Sequence, residues 1–142
     1  MTIASVLARK GRDVVSVNDD VLVATALAVL ADKRIGALPV MRGGAVVGIF
    51  SERDLLYGLN AEGAAFLDRP VAEAMTAPVV TVEPATPVLQ ALSTMTRRRL
   101  RHLPVIAEGR IAGFVSIGDL VKYRMDLVEA DAAALREYIA GA

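Results

Sequence analysis

One stretch of this chain occurs twice in a single register. Ala37-Leu38-Pro39-Val40 leads through Gly43-Gly44 to Gly48-Ile49-Phe50-Ser51-Glu52-Arg53-Asp54-Leu55. His102-Leu103-Pro104-Val105 leads through Glu108-Gly109 to Gly113-Phe114-Val115-Ser116-Ile117-Gly118-Asp119-Leu120. Each copy reads as a short apolar strand, a glycine turn, a second apolar strand and a Gly-x-x-Ser-x-x-Asp exit into a helix. A shift of 65 positions lays Val14–Leu56 on Val79–Val121 without a gap, matching Val17/Val82, Ala26/Ala91, Arg34/Arg99 and Leu38/Leu103 as well. Apolar matches alone could follow from a chain that is 54% hydrophobic. Matched Pro, Gly, Ser and Asp in one register do not, so the chain is a duplicated unit.

The local patterns give the elements of each unit. Thr2–Arg9 is expected to be helical, with Ile3, Val6 and Leu7 on one face. Val14–Val17 is expected to be a strand, followed by Asn18-Asp19-Asp20 as N-cap oxygens for a helix from Val21 to Arg34. After the first hairpin a helix should run from Asp54 past Leu59, and Asn60–Gly63 should break it. Ala64–Arg69 reads as a connector, Pro70 starts a short helix over Val71–Met75, and Thr76-Ala77-Pro78 stops it. In the second copy Val79–Val82 is the expected strand, and Thr86-Pro87 opens a helix with Val88, Leu92 and Met95 on its buried stripe. That helix ends in the basic run Arg97–Arg101, which suits the negative end of its dipole. The last helix is expected from Ile117 to Tyr138, with Val121, Met125, Val128, Leu135 and Ile139 as its apolar positions. The order is therefore strand, helix, strand, strand, helix, twice. By sequence order the units divide as 1–65, 66–125 and a helical extension 126–142.

Composition removes several classes of function. Units of about 60 residues are marginal alone, which favours two halves packed face to face. Formal net charge is zero, so no overall field draws the chain to nucleic acid or an anionic membrane. There is no cysteine and a single histidine, which removes disulfides and ordinary zinc sites. A cysteine-free chain without a signal-peptide pattern is expected in the cytoplasm. The uncharged stretch Val21–Ala31 is far shorter than the roughly 20 residues of a membrane span. Ser51 or Ser116 with one histidine and no nucleophile elbow makes no triad, and neither a Walker A nor a Rossmann glycine pattern occurs. The chain is not expected to be an enzyme.

The chemistry is concentrated where the second hairpin strand becomes a helix. The first backbone N–H groups of a helix lack internal partners and attract phosphate. Ser51 adds a hydroxyl there and Arg53 a bidentate guanidinium, while the Asp54 carboxylate can accept both hydroxyls of a ribose. The second copy repeats Ser116 and Asp119 but has Gly118 in place of Arg53. The plainer alternative is that both serines are N-caps and both aspartates merely suit the positive helix end.

The element order, the Leu-Pro-Val strand and the Gly-x-x-Ser-x-x-Asp exit, present twice, resemble the cystathionine-β-synthase (CBS) domain family. Two in tandem resemble a Bateman module, here of the stand-alone bacterial type, since Val14–Val121 takes up most of the chain. The resemblance implies an α/β fold of two pseudo-symmetric units packed sheet to sheet, with nucleotide clefts between them. It implies non-catalytic, regulatory binding of an adenine nucleotide (AMP, ATP or NAD) that senses energy or metabolite state. Carried over residue by residue, it nominates Ser16, Val17, Ala37, Pro39, Ser51, Arg53 and Asp54 in the first copy. In the second it nominates Thr81, Val82, Pro104, Ser116 and Asp119, with Arg101 and His102 as phosphate ligands of the second cleft. It also implies a homodimer and an unidentified regulated protein. Two rival functions stay open. One is an assembly module that binds no ligand. The other is a nucleic-acid regulator using Arg97–Arg101, although four arginines without interleaved aromatics make a poor platform.

Overall fold

The computed structural model describes residues 1–141. The chain begins with α1 (Ile3–Lys10) and reaches the two-residue strand β1 (Val17–Asn18). The first unit continues through α2 (Val23–Lys33), the hairpin β2 (Ala37–Arg42) and β3 (Ala45–Ser51), and α3 (Glu52–Glu62). A 3₁₀ turn (Gly63–Asp68) and α4 (Val71–Ala74) lead to the second unit. That unit comprises α5 (Val88–Arg98), the hairpin β4 (His102–Ala107) and β5 (Arg110–Ser116), and α6 (Ile117–Gly141).

The two hairpins have the same register and the same irregularity. Val40 faces Gly48 and Val105 faces Gly113, with a register shift directly after each valine. Both central turn residues have positive φ in each copy: 56° and 82° at Gly43-Gly44, 53° and 76° at Glu108-Gly109. Such a turn matches the right-handed twist of the strands it joins. The matched pair Arg34/Arg99 also acquires a reason. Both residues end their helices in the left-handed conformation, with φ of 54° and 56°, and the next N–H closes back on Leu30 or Met95.

The early strands are shorter than the valine runs predict. The first is reduced to Val17–Asn18, parallel to Val40–Met41, and the second to a single bridge between Val82 and Val105. Val82 donates to the Pro104 carbonyl at 3.0 Å and accepts from the Ile106 N–H at 2.8 Å. The next rung would need the N–H of residue 104 or 39, and proline has none. The strands stop there, and Val79-Val80 is left unpaired. Because β1 runs on to Asn18, α2 starts only at Val23, and Asp19 binds the Arg42 guanidinium at 2.5 Å instead of capping the helix. Thr86 likewise accepts from the Glu83 N–H at 3.0 Å, and Pro87 occupies the cap position of α5.

Each half has its own core, built from matched positions. Val23, Ala26, Leu30, Leu38, Val40 and Phe50 in the first correspond to Val88, Ala91, Met95, Leu103, Val105 and Val115 in the second. The closing pieces cross over. Ile3, Val6 and Leu7 of α1 are buried in the second core, whereas Phe66 and Val71, which follow the first unit, complete the first. Backbone bonds from Ile3 N–H to the Thr86 carbonyl (2.9 Å) and from Val71 N–H to the Val21 carbonyl (2.8 Å) fix the two pieces equivalently. Sequence order assigns α1 to the first unit; packing assigns it to the second. The repeated Gly48 and Gly113 are where these pieces press closest, Gly48 beneath Met75 and Gly113 beneath Leu7. Of the long helix α6 only Leu120 is buried, and Val121, Met125, Val128, Leu135 and Ile139 are exposed.

Candidate functional site

The Ser-x-x-Asp sequence forms a capping box at both helix starts. The Ser51 hydroxyl accepts from the Asp54 N–H at 3.3 Å while Asp54 Oδ2 accepts from the Ser51 N–H at 2.9 Å. Ser116 and Asp119 repeat it at 3.1 and 2.8 Å. The capping alternative is therefore realised, and the same bonds hold each carboxylate rigidly at a helix start that faces a cleft. In the first cleft Thr76 adds a hydroxyl bond to Asp54 Oδ1 at 2.9 Å.

A cavity of about 430 Å³ opens beside that box. Its polar wall is Ser51, Glu52, Arg53, Asp54 and Thr76, and its apolar wall is Ile49, Pro78, Val79, Val80 and Leu100. Gly36, Arg99, Arg101 and His102 complete the lining. Three cations and an imidazole thus stand around one helix start, and the Glu52 and Asp54 carboxylates sit beside them. The size and mixed lining suit a small ligand with one flat apolar part and one anionic part.

Of the nominated residues, Ser51, Arg53, Asp54, Arg101 and His102 meet in this cavity. Arg101 and His102, expected in the second cleft, line this cavity, and at the second helix start the Arg101 carbonyl accepts from the Ile117 N–H at 2.8 Å while His102 pairs with Ser116. The cause of their place in the cavity is the packing of β3 against β5. In that arrangement the start of β4 lies over the α3 start, so this cleft takes its acid from one half and its strand leader from the other. Ala37 (3% exposed), Val17 and Val82 (8% each) are core residues and do not line it. Pro39 and Pro104 are buried in the hairpins opposite Ile49 and Phe114, and Ser16 and Thr81 lie on exposed backbone outside it. Sequence reasoning missed Val79, Val80 and Thr76. Their signal is the Thr76-Ala77-Pro78 turn, which does more than stop α4 and delivers two valines to the cleft.

The second box has different company. Asp119 Oδ2 accepts from the Lys10 ammonium at 2.5 Å, and the same ammonium donates to the Phe114 carbonyl at 2.6 Å. Burial opposes ionisation of Asp119. The bonds from Lys10 and Ser116, with the Lys10 charge, outweigh it and hold the carboxyl below its usual range. His102 stacks on Phe114 with ring centroids 5.5 Å apart. Burial, then the Lys10 and Arg101 charges, push its pKa down despite the pull of Asp119, so near neutral pH the ring is uncharged.

Known proteins share this architecture. CBSX3, a mitochondrial CBS domain-containing protein of Arabidopsis thaliana, is 34% identical over 149 residues, covering 99% of this chain and 72% of its own length. The crystal structure of ATU1752, a CBS-domain containing protein from Agrobacterium tumefaciens, is 44% identical and superposes with a TM-score of 0.84, covering 87% of this chain and 99% of that one. The structure of CBSX2 in complex with AMP is 25% identical with a TM-score of 0.71, covering 82% and 91%. The CBS domain family matches residues 6–61 and again 71–126, and this chain accordingly belongs to it as a tandem pair.

Proposed function

We propose that this chain is a non-catalytic regulatory module that binds an adenine nucleotide in the cleft beside Ser51, Arg53 and Asp54. The carrying observation is the convergence of Asp54, Arg53, Arg101 and His102 on one cavity whose opposite wall is Val79, Val80, Ile49 and Pro78. Asp54 takes the ribose hydroxyls, the α3 start with Ser51 and Arg53 takes phosphate, and the valines sandwich the base. That CBSX2 has been solved with AMP supports the same ligand class here. The Ser51 hydroxyl accepts from the Asp54 N–H and His102 stacks on Phe114, which fits capping and packing roles beside a bound ligand.

Binding is read out through assembly. The exposed Leu56 and Tyr57 of α3 and Val121, Met125 and Val128 of α6 give apolar faces for a second copy of the chain or a regulated protein. No helix among the described residues is long and apolar enough to cross a membrane. We assign the protein to the cytoplasm on its cysteine-free composition.

Isothermal titration of the purified chain with AMP, ATP and NAD is the test, with mass spectrometry of small molecules released on heating. Micromolar binding of at least one of them is expected. No heat and no released nucleotide would leave the assembly module as the function. Light scattering at tens of micromolar should show a dimer.

A further inference from the structure

We propose that Lys10 makes the two clefts unequal, by occupying the Asp119 carboxylate that a ribose must reach in the second. The proposal rests on the nucleotide-binding function above and adds to it a residue that the repeat does not contain.

The two halves differ most where they should match. α4 and α1 are the equivalent closing pieces, Met75 above Gly48 and Leu7 above Gly113. After Met75 the first copy becomes extended, and Thr76 pairs with Ile49 through backbone bonds of 3.0 and 2.8 Å. After Leu7 the second copy stays helical for another turn, to Lys10. The carbonyl of Phe114, the counterpart of Ile49, then has the Lys10 ammonium where a backbone N–H stands in the first copy. The carboxylate changes partner in the same way. Asp54 receives a neutral threonine hydroxyl, which a ligand hydroxyl can replace like for like. Asp119 receives a full positive charge at 2.5 Å, supported by a second acceptor on the same nitrogen. A diol entering there has to displace a full positive charge from the carboxylate and brings only neutral donors in its place, so each bond it makes has one ionised partner where the pair had two.

The displaced ammonium has somewhere to go. Lys10 and Asp119 also line a cavity of about 310 Å³ with Arg9, Lys122, Tyr123 and Asp126. Arg9 lies over Tyr123 at 5.1 Å and meets Asp126 at 3.6 Å, so release of Lys10 is felt where α1 rests on α6.

The experiment isolates the second cleft by disabling the first. AMP is titrated calorimetrically into the full chain as wild type, Asp54→Ala, and Asp54→Ala combined with Lys10→Met or Lys10→Gln, folding being checked by circular dichroism. Wild type is expected to show one strong site. The two double variants are expected to bind AMP at the second cleft about tenfold more tightly than Asp54→Ala alone, the size of a charge-assisted bond discounted for its partial exposure. Equal or weaker binding in both double variants overturns the role of Lys10 and leaves the nucleotide function standing, because wild type still binds. Absence of AMP binding in wild type and all variants overturns both.

Discussion

Replacing Asp54 with alanine separates the two roles that its carboxylate plays. The substitution removes three bonds, from the Ser51 N–H (2.9 Å), the Ser51 hydroxyl (3.1 Å) and the Thr76 hydroxyl (2.9 Å). The Ser51 oxygen still accepts from the N–H of residue 54, so only half of the capping box goes. That half is worth about 0.5–1 kcal/mol, the favourable charge at the helix start about 0.5 kcal/mol, and the exposed threonine bond about 0.5–1 kcal/mol. The loss is about 2 kcal/mol in all, which lowers the melting temperature of a chain this size by about 5 °C. A folded protein with a stability of roughly 5–15 kcal/mol remains folded at 25 °C after that loss. A fall in affinity is then a direct effect on the ligand. Loss of a charge-assisted bond to ribose predicts about a 10–100-fold weaker AMP complex by titration. Asp54→Asn supplies the contrast, because it keeps an acceptor for the cap and loses the charge; it should melt close to wild type yet bind AMP as poorly as the alanine variant. If both variants bind AMP like wild type while the alanine variant melts lower, the box is only a helix cap and the cleft reading is wrong.

Leu7→Ala should cost about 2–5 kcal/mol by denaturant unfolding, since Leu7 is 2% exposed. Hydrogen exchange in that variant should quicken more in β4, β5 and α5 than in β2 and β3, and the reverse order would return α1 to the first unit. Gly113→Ala places a Cβ 2.7 Å from Leu7 Cδ2 and should destabilise by about 1–3 kcal/mol in melts, whereas a silent substitution would mean that the close approach carries no energy. The pKa of His102 is depressed in the fold, so its neutral form contributes full stability above about pH 6.5 and less as pH falls through the folded value. Urea midpoints should therefore drop between pH 7.5 and 5.5, and His102→Gln should flatten that drop. Asp119 is depressed too, and its contribution is lost only in the separate window below the ordinary carboxylate range.

The matched residues carried most of the fold because each is bound by a constraint that acts within one unit. Pro39/Pro104 and Gly44/Gly109 set the hairpins, and Val23/Val88 with Leu38/Leu103 set the cores. Even the short early strands are legible afterwards, since a proline in the neighbouring strand removes the next rung. The allegiance of α1 is another matter. Ile3, Val6 and Leu7 make an amphipathic face that would fit either core, and only the docking of the halves decides which core it meets.

The site follows the same division between what lies within a unit and what lies across units. A repeat states which positions are equivalent but not which positions of the two halves face each other. Ser51, Arg53 and Asp54 could be read as one cluster because four consecutive residues at a helix start must be neighbours. Their meeting with Arg101 and His102 depends on the relation between the two sheets, which sequence equivalence does not convey. Lys10 is further still from anything a motif can convey, standing 109 positions from its partner Asp119. Its place there follows from one added turn in α1 relative to α4. A duplicated chain therefore folds into two nearly equal halves while its clefts diverge, because the segments that close them lie outside the repeated motif and are free to differ.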